Sequence, residues 1–287
     1  MPTYVVTGAT GAFGRHAIAA LLARGVAPAD VVAVVRTPAK ADDLAALGVQ
    51  VREGDYDRPE TLAAAFAGVS HLLFVSGSQI GSRVPQHQAV VDAAVAAGVG
   101  RVAYTSILHA DTTTNPLAPE HVATEAMLAS SGLAHSLLRN GWYVELYAGQ
   151  VGRYVAQGEI VGAAQDGRIA AAPREQYAQA AVAALLGDEG ARVVHELGGD
   201  AFTLTDLAAA VAAAAGEPVV YRDITVDELA AGLEAAGLPA PAARMFAEVD
   251  GSIAAGALDT TSDELARLLG HAPTPVAEVV AREVNPV

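Results

Sequence analysis

The sequence predicts an α/β fold, a doubly wound parallel sheet joined to a smaller C-terminal α/β lobe. Three observations predict it. Short β-branched runs alternate with Ala-rich helical stretches through the first half of the chain. Those runs are apolar without strict alternation, as expected of strands covered on both faces. The first run leads through a glycine-rich loop, TGATGAFGRH (7–16), straight into the first helix.

The strands read TYVVT (3–7), VVAVV (31–35), VQVRE (49–53), HLLFV (71–75), RVAYT (101–105) and HSLLRN (135–140). Helices are predicted near 13–24, 38–46, 59–66, 84–97 and 118–131. Alternation at this spacing implies parallel strands joined by right-handed crossovers. Beyond about residue 141 the pattern loosens. Helical stretches near 143–156, 174–187, 204–215, 226–236 and 239–255 alternate with short strand candidates at 159–163, 192–197 and 218–222. The expected division is a first domain over 1–145 and a smaller lobe over 146–287, with later segments free to return to the first domain. The lobe is expected to cap the C-terminal edge of the sheet and form a substrate cleft there.

Composition removes several function classes. The 17 Lys and Arg against 32 Asp and Glu give a net charge of −15 with no basic cluster, which opposes nucleic-acid binding. With no Cys there is no disulfide, no thiolate metal site and no Cys nucleophile. Every apolar run is interrupted before it reaches membrane-spanning length, and the N-terminus reads as a strand rather than a signal peptide. A cytoplasmic protein, monomer or homodimer, without membrane or nucleic-acid partners is expected. Lys40 is the sole Lys. It leaves no GK[ST] phosphate loop and no Tyr followed by Lys at four residues.

The glycine loop has the spacing GxxGxxG. Gly8 permits a tight turn, Gly11 lets the backbone approach a pyrophosphate, and Gly14 allows close packing of the helix. The helix N-terminus then faces the phosphates with its amides and positive dipole. This is the mechanics of a Rossmann-type dinucleotide site. About twenty residues on, an acidic residue would hold the ribose 2′-hydroxyl of NAD. Arg36 stands there instead, and a guanidinium suits the 2′-phosphate of NADP. The expected cofactor is NADP(H), with NAD(H) as the alternative. In GDYDRPE (54–60), Asp55 is a candidate for the adenine amino group and Asp57 for the cap of the following helix. Ser76 and Gly77, after the fourth strand, would lie beside the inner ribose and nicotinamide.

TGATGxxG, VVRTPAK, VREGDYDRPETL, RVPQHQAVVDAAVAAGV, YTSILHAD, EHVATE and LLRNGWYVE occur here in this order. In this the chain resembles the NmrA-like, atypical short-chain dehydrogenase/reductase family, nearest to its bacterial NADPH:quinone oxidoreductases of the zinc-free, flavin-free type. The resemblance implies that Gly8, Thr10, Gly11, Phe13, Gly14, Arg36, Asp55 and Ser76 form the NADP(H) site, with neither metal nor flavin. It also implies that Asn140, Trp142 and Tyr143 face the substrate. Ala126, where similar quinone reductases often carry Lys, departs from the pattern.

In LAPEHVATEAML (117–128) the spacing that holds a proton-donating Tyr and its Lys in many reductases holds His121 and Glu125. Hydride addition to a simple ketone makes an alkoxide and needs a positioned acid. Addition to a quinone makes a phenolate-like anion, comparable with a Tyr of pKa about 10, which water or a weak donor can protonate. The missing pair therefore narrows the acceptor to quinones or similar conjugated aromatics. His121 and Glu125, four apart on a helix, are expected to pair with each other. Ser106 and His109 are candidate donors. Asn140 and Tyr143 are candidates for hydrogen bonding the acceptor, and Trp142 and Tyr147 for stacking on it. Two other functions suit the same residues: a tailoring reductase or NADPH-consuming monooxygenase acting on a polycyclic aromatic, and a non-catalytic NADP(H)-sensing regulator.

Overall fold

The β-branched runs of the first half do form strands, and each of the first five is followed by a helix. The computed structural model describes residues 2–187 and 190–285. In chain order the first half builds β1 (Tyr4–Val6), α1 (Ala12–Ala23), β2 (Val31–Val35), α2 (Asp42–Ala46), β3 (Gln50–Glu53), α3 (Pro59–Ala65), β4 (His71–Phe74), α4 (Arg83–Ala96), β5 (Arg101–Ile107), α5 (Ala118–Ser130) and β6 (Ala134–Asn140). There follow β7 (Trp142–Tyr143), α6 (Glu145–Ala148), α7 (Val151–Gln157), β8 (Glu159–Gly162), β9 (Ile169–Ala172), α8 (Arg174–Leu186), β10 (Arg192–Leu197), β11 (Ala201–Phe202), α9 (Leu204–Ala215), β12 (Val220–Asp223), α10 (Val226–Ala235), α11 (Ala240–Ala254), α12 (Glu264–Leu269) and α13 (Val276–Val284).

Seven strands make one sheet in the order β10-β6-β5-β4-β1-β2-β3. β1 lies between β2 and β4, parallel to both, with Val6 level with Ala33 and Leu73. This parallel register brings the C-terminal ends of β1, β2 and β4 to one edge, where the glycine loop, Arg36 and the loop 75–82 emerge. The core beneath is apolar: Val5, Val32, Phe66, Leu72, Phe74, Tyr104 and Leu128 are almost fully buried.

The chain divides into two compact units. One comprises Met1–Ile107, Pro119–Arg139 and Arg174–His195; the other comprises Leu108–Ala118, Asn140–Pro173 and Glu196–Val287. In the first, α8 packs along α1. The second holds a three-stranded sheet, β11-β9-β7, and a two-stranded one, β12-β8. It has its own core around Val144, Ile169, Leu207, Ile253 and Leu258.

Several elements differ from expectation. The predicted helix at 38–46 is a 3-10 turn, Pro38–Lys40, followed by the short α2. The helix predicted over 143–156 breaks into α6 and α7 at Gly149. β7, β9, β11, α12 and α13 were not expected. Among the described residues no helix is long and apolar enough to cross a membrane.

Candidate active site

The end of β1 gives way to a turn that only glycine makes easily. Gly8 has φ +60°, and the Gly11 N–H donates to its carbonyl at 2.9 Å. A Cβ on Gly14 would stand 2.5 Å from the Gly8 oxygen and 2.7 Å from Ala9 Cα, so a larger residue would push the loop off the helix. Gly11 caps α1 without a side chain, which keeps the helix N-terminus clear. Arg15 braces the loop by donating to the Thr10 carbonyl at 3.3 Å and to the Lys40 carbonyl at 3.2 Å, and it pairs with Asp43.

A cavity of about 360 Å³ opens above this turn. It brings together Gly8, Thr10, Gly11, Arg36, Asp55, Ser76 and Gly77, all of them expected cofactor residues. Phe13 and Gly14 are buried and do not line it. The exposed Arg36 side chain makes no hydrogen bond or ion pair with any described residue. Ser76 donates its N–H to Thr105 Oγ1 at 2.8 Å, and the Thr105 hydroxyl donates back to Ser76 Oγ at 3.2 Å. The proton of the Ser76 hydroxyl therefore points to no acceptor among the described residues and is available in the cavity. Asp55 accepts from the Asp57 N–H at 3.1 Å. A left-handed glycine, a helix start that tolerates no Cβ and a guanidinium at the end of β2 together fit a phosphorylated dinucleotide.

Asp57 does not cap α3. Arg58 occupies that position without a side-chain capping bond, and Pro59 begins the helix. The Asp57 carboxylate instead accepts from Gln86 Nε2 at 2.8 Å. Gln86, Gln79 and Tyr56 also line the cavity; Gln79 and Gln86 were missed in the sequence. The signal for Gln86 lay in RVPQHQ, where Arg83 and His87 share a helix face with Gln86 beside them.

His121 and Glu125 do not pair with each other. Their helix face is buried, and each finds a partner elsewhere. His121 has Tyr104 Oη at 2.8 Å from Nδ1 and Arg83 Nη1 at 3.3 Å from Nε2. Arginine only donates, so Nε2 accepts and Nδ1 carries the proton. Burial, and then the Arg83 charge, push the His121 pKa down to about 3. Glu125 pairs with one edge of the Arg139 guanidinium, accepting from Nη2 at 2.7 Å and Nε at 3.0 Å, and accepts the Ser106 hydroxyl at 2.6 Å. A buried carboxylate needs such complete pairing to offset its desolvation.

In the second unit, His109 has φ +54°, a strained conformation for a side-chain-bearing residue. Its N–H donates to Glu196 Oε2 at 2.9 Å, and Nε2 lies 2.9 Å from the Asp259 carbonyl. Its Nδ1 lies 3.6 Å from Glu196 Oε2. Asn140 is 4% exposed, yet neither of its amide atoms has a partner among the described residues. Trp142 and Tyr143 form β7 and run beside Ala171 and Ala172 of β9. Trp142 and Tyr147 lie half-buried against the core of this unit, and Tyr147 meets Phe202 edge to face at 5.9 Å. Burial raises the Tyr147 phenol well above its usual pKa. Tyr143 is also half-buried.

The fold and the pocket define a dinucleotide-binding α/β protein, and the comparisons agree. A family model described as NAD(P)H-binding matches residues 8–188. Quinone oxidoreductase 2 of Escherichia coli strain K12 is 45% identical over 283 residues, 98% of each chain. A crystal structure of an E. coli NADPH-dependent quinone oxidoreductase complexed with NADPH superposes with a TM-score of 0.96 at 44% identity, covering 99% of this chain and 100% of the other. The triphenylmethane reductase of Citrobacter sp., complexed with NADP(H), gives a TM-score of 0.93 at 35% identity, covering 98% and 100%. The chain belongs to the NAD(P)H-binding, NmrA-like family of oxidoreductases.

Proposed function

We propose that the chain is an NADPH-dependent oxidoreductase that reduces quinones or similarly conjugated aromatic acceptors by direct hydride transfer. The observation that carries this reading is the fate of His121 and Glu125. Both sit where a reductase of simple ketones needs its acid, and both are locked into buried pairs. No proton donor is free at that position. The acceptor must therefore be one whose reduced anion is stabilised by delocalisation, so that water suffices to protonate it.

The residues take these roles. Gly8, Thr10, Gly11 and Gly14 shape the phosphate cradle, with Phe13 packed behind it. Arg36 binds the 2′-phosphate, Asp55 the adenine, and Ser76 and Gly77 the inner ribose and carboxamide. The bound nicotinamide supplies the hydride. Asn140, Trp142, Tyr143 and Tyr147 contact the acceptor. A buried amide donor without a partner costs about 1–3 kcal/mol, and an acceptor oxygen facing Asn140 Nδ2 would remove that part of the cost. Ser106 and His109 act by support, since the first donates to Glu125 and the second is held by Glu196 and Asp259. The related quinone and triphenylmethane reductases support a conjugated aromatic acceptor.

The test is acceptor-dependent loss of nicotinamide absorbance, with NADPH or NADH and a panel of small and polycyclic quinones, under air and under nitrogen. Oxidation of NADPH that depends on the quinone and not on oxygen is expected. Tight NADPH binding without turnover on any acceptor would contradict the reading.

A further inference from the structure

The loop between β4 and α4 forms one wall of the nucleotide cavity through Val75, Ser76, Gly77, Ser78 and Gln79. Its peptide at Gly77 is gripped on both sides by α4. His87 Nε2 accepts the Gly77 N–H at 2.9 Å, and Arg83 Nε donates to the Gly77 carbonyl at 2.6 Å. Residues four apart share one helix face, so a single face makes both bonds. Between them Gln86 donates to Gln79 Oε1 at 2.6 Å. A Cβ on Gly77 would stand 3.1 Å from Gln86 Oε1.

The protons in this cluster are fully assigned by its geometry. His87 Nε2 accepts, so Nδ1 carries the proton and donates to Thr124 Oγ1 at 2.8 Å. The Thr124 hydroxyl in turn donates to the Glu120 carbonyl at 2.9 Å. Arg83 reaches His121 with Nη1 and lies 3.8 Å from Glu120 Oε2, while Glu120 Oε1 accepts the Gly81 N–H at 3.0 Å. α5 thus holds α4, and α4 holds the wall. His87 is fully buried and Arg83 is 8% exposed. Burying a guanidinium and two neutral imidazoles is costly, whereas most loops leave their peptides to water. The cluster fixes one conformation of a loop that solvent would leave free.

We propose that Arg83 and His87 are positioning residues that preset the Gly77 wall for the dinucleotide, governing its affinity and leaving the hydride-transfer step unchanged. This rests on the NADPH reading above. It gives His121, which stands in place of a proton donor on α5, a different task, the support of Arg83 behind the cofactor pocket.

The experiment compares wild type, His87→Leu, His87→Gln and Arg83→Met. NADPH affinity is read by fluorescence titration, KM and kcat by quinone reduction, and folding by thermal melting without ligand. His87→Leu leaves the Gly77 N–H unpaired and should raise the NADPH Kd and KM on the order of tenfold, with kcat within about twofold of wild type. Arg83→Met should act in the same direction. His87→Gln presents an amide oxygen near the position of Nε2 and should recover most of the affinity. Nitrogen chemical shifts of wild-type His87, which need no substitution, should report a bare Nε2 and a protonated Nδ1. A folded His87→Leu with wild-type Kd, a loss in kcat alone, or a proton on Nε2 would each overturn the inference while the NADPH reading stands. A wild type that binds no NADPH would overturn both.

Discussion

In the proposed site, Arg36 is the residue on which cofactor choice would turn. It is exposed at the end of β2, lines the cavity and has no protein partner among the described residues. Its charge is therefore available to a ligand phosphate. Arg36→Ala should raise KM for NADPH about tenfold to a hundredfold, since a charge-assisted contact is worth roughly 1.5–3 kcal/mol. KM for NADH should barely move, and a KM that rises equally for both would contradict the assignment. Glu125 and Arg139 make a second prediction, about stability. Removing one partner of a buried ion pair costs about 3–5 kcal/mol, so Glu125→Gln should lower the unfolding free energy by that order. The double variant Glu125→Gln, Arg139→Met should regain much of it, and chemical denaturation of the three chains checks this. At this scale the tight turn at Gly8 was legible in the sequence because it demands one kind of residue, and so was the place of Arg36 at the end of β2 beside the cavity. The partners of His121 and Glu125 were not. They come from β5, β6 and α4, and helical spacing names neighbours only on the same helix.

Among the elements, α1 and its loop act as a single fitted part. The approach of Gly14 to the Gly8 oxygen leaves no room for even a methyl group. Gly14→Ala should shift the loop and weaken NADPH binding by more than tenfold, by a clash of the size that overpacking produces. Isothermal titration would detect it, and unchanged affinity would show that the loop yields. The strands of the first half were legible because Val and Leu fill them on both faces. β9 was not, because its sequence, IAAA, has helical propensity. The physical reason is space. A Cβ on Gly199 would stand 1.9 Å from the Ala171 oxygen, and one on Gly198 3.0 Å from Ala170 Cβ, so the neighbouring glycines lie in close contact with the alanines of this strand. Tertiary packing overrides propensity there. α13 was hidden for a different reason: Pro273 and Pro275 precede it, and proline breaks a helix interior, although Pro275 stands at the helix N-cap.

Across the whole molecule, two buried histidines set a pH dependence of stability. Burial, with the Arg83 charge adding to it, lowers His87 to about 4 and His121 to about 3, against an ordinary value of 6.5. The unfolded chain takes up these protons near pH 6.5 and the folded chain does not until well below it. The unfolded state therefore binds more protons in that window, and stability falls as the pH drops from 6.5 towards 4. Above 6.5 the histidines contribute no slope. Urea midpoints should be level from pH 7 to 8 and decline below 6.5, and His87→Gln should lose part of that decline. A midpoint flat to pH 4.5 would contradict the lowered pKa values of these histidines. The loop bracing carries one more consequence, for chemical durability. Arg15 ties the glycine loop to the carbonyl of Lys40, which is exposed and is the only lysine in a chain without cysteine. Quinones are alkylating agents whose first targets are thiolates, with amines next. This surface offers them no thiol and one side-chain amine, so an enzyme working among such electrophiles would present almost nothing for them to poison.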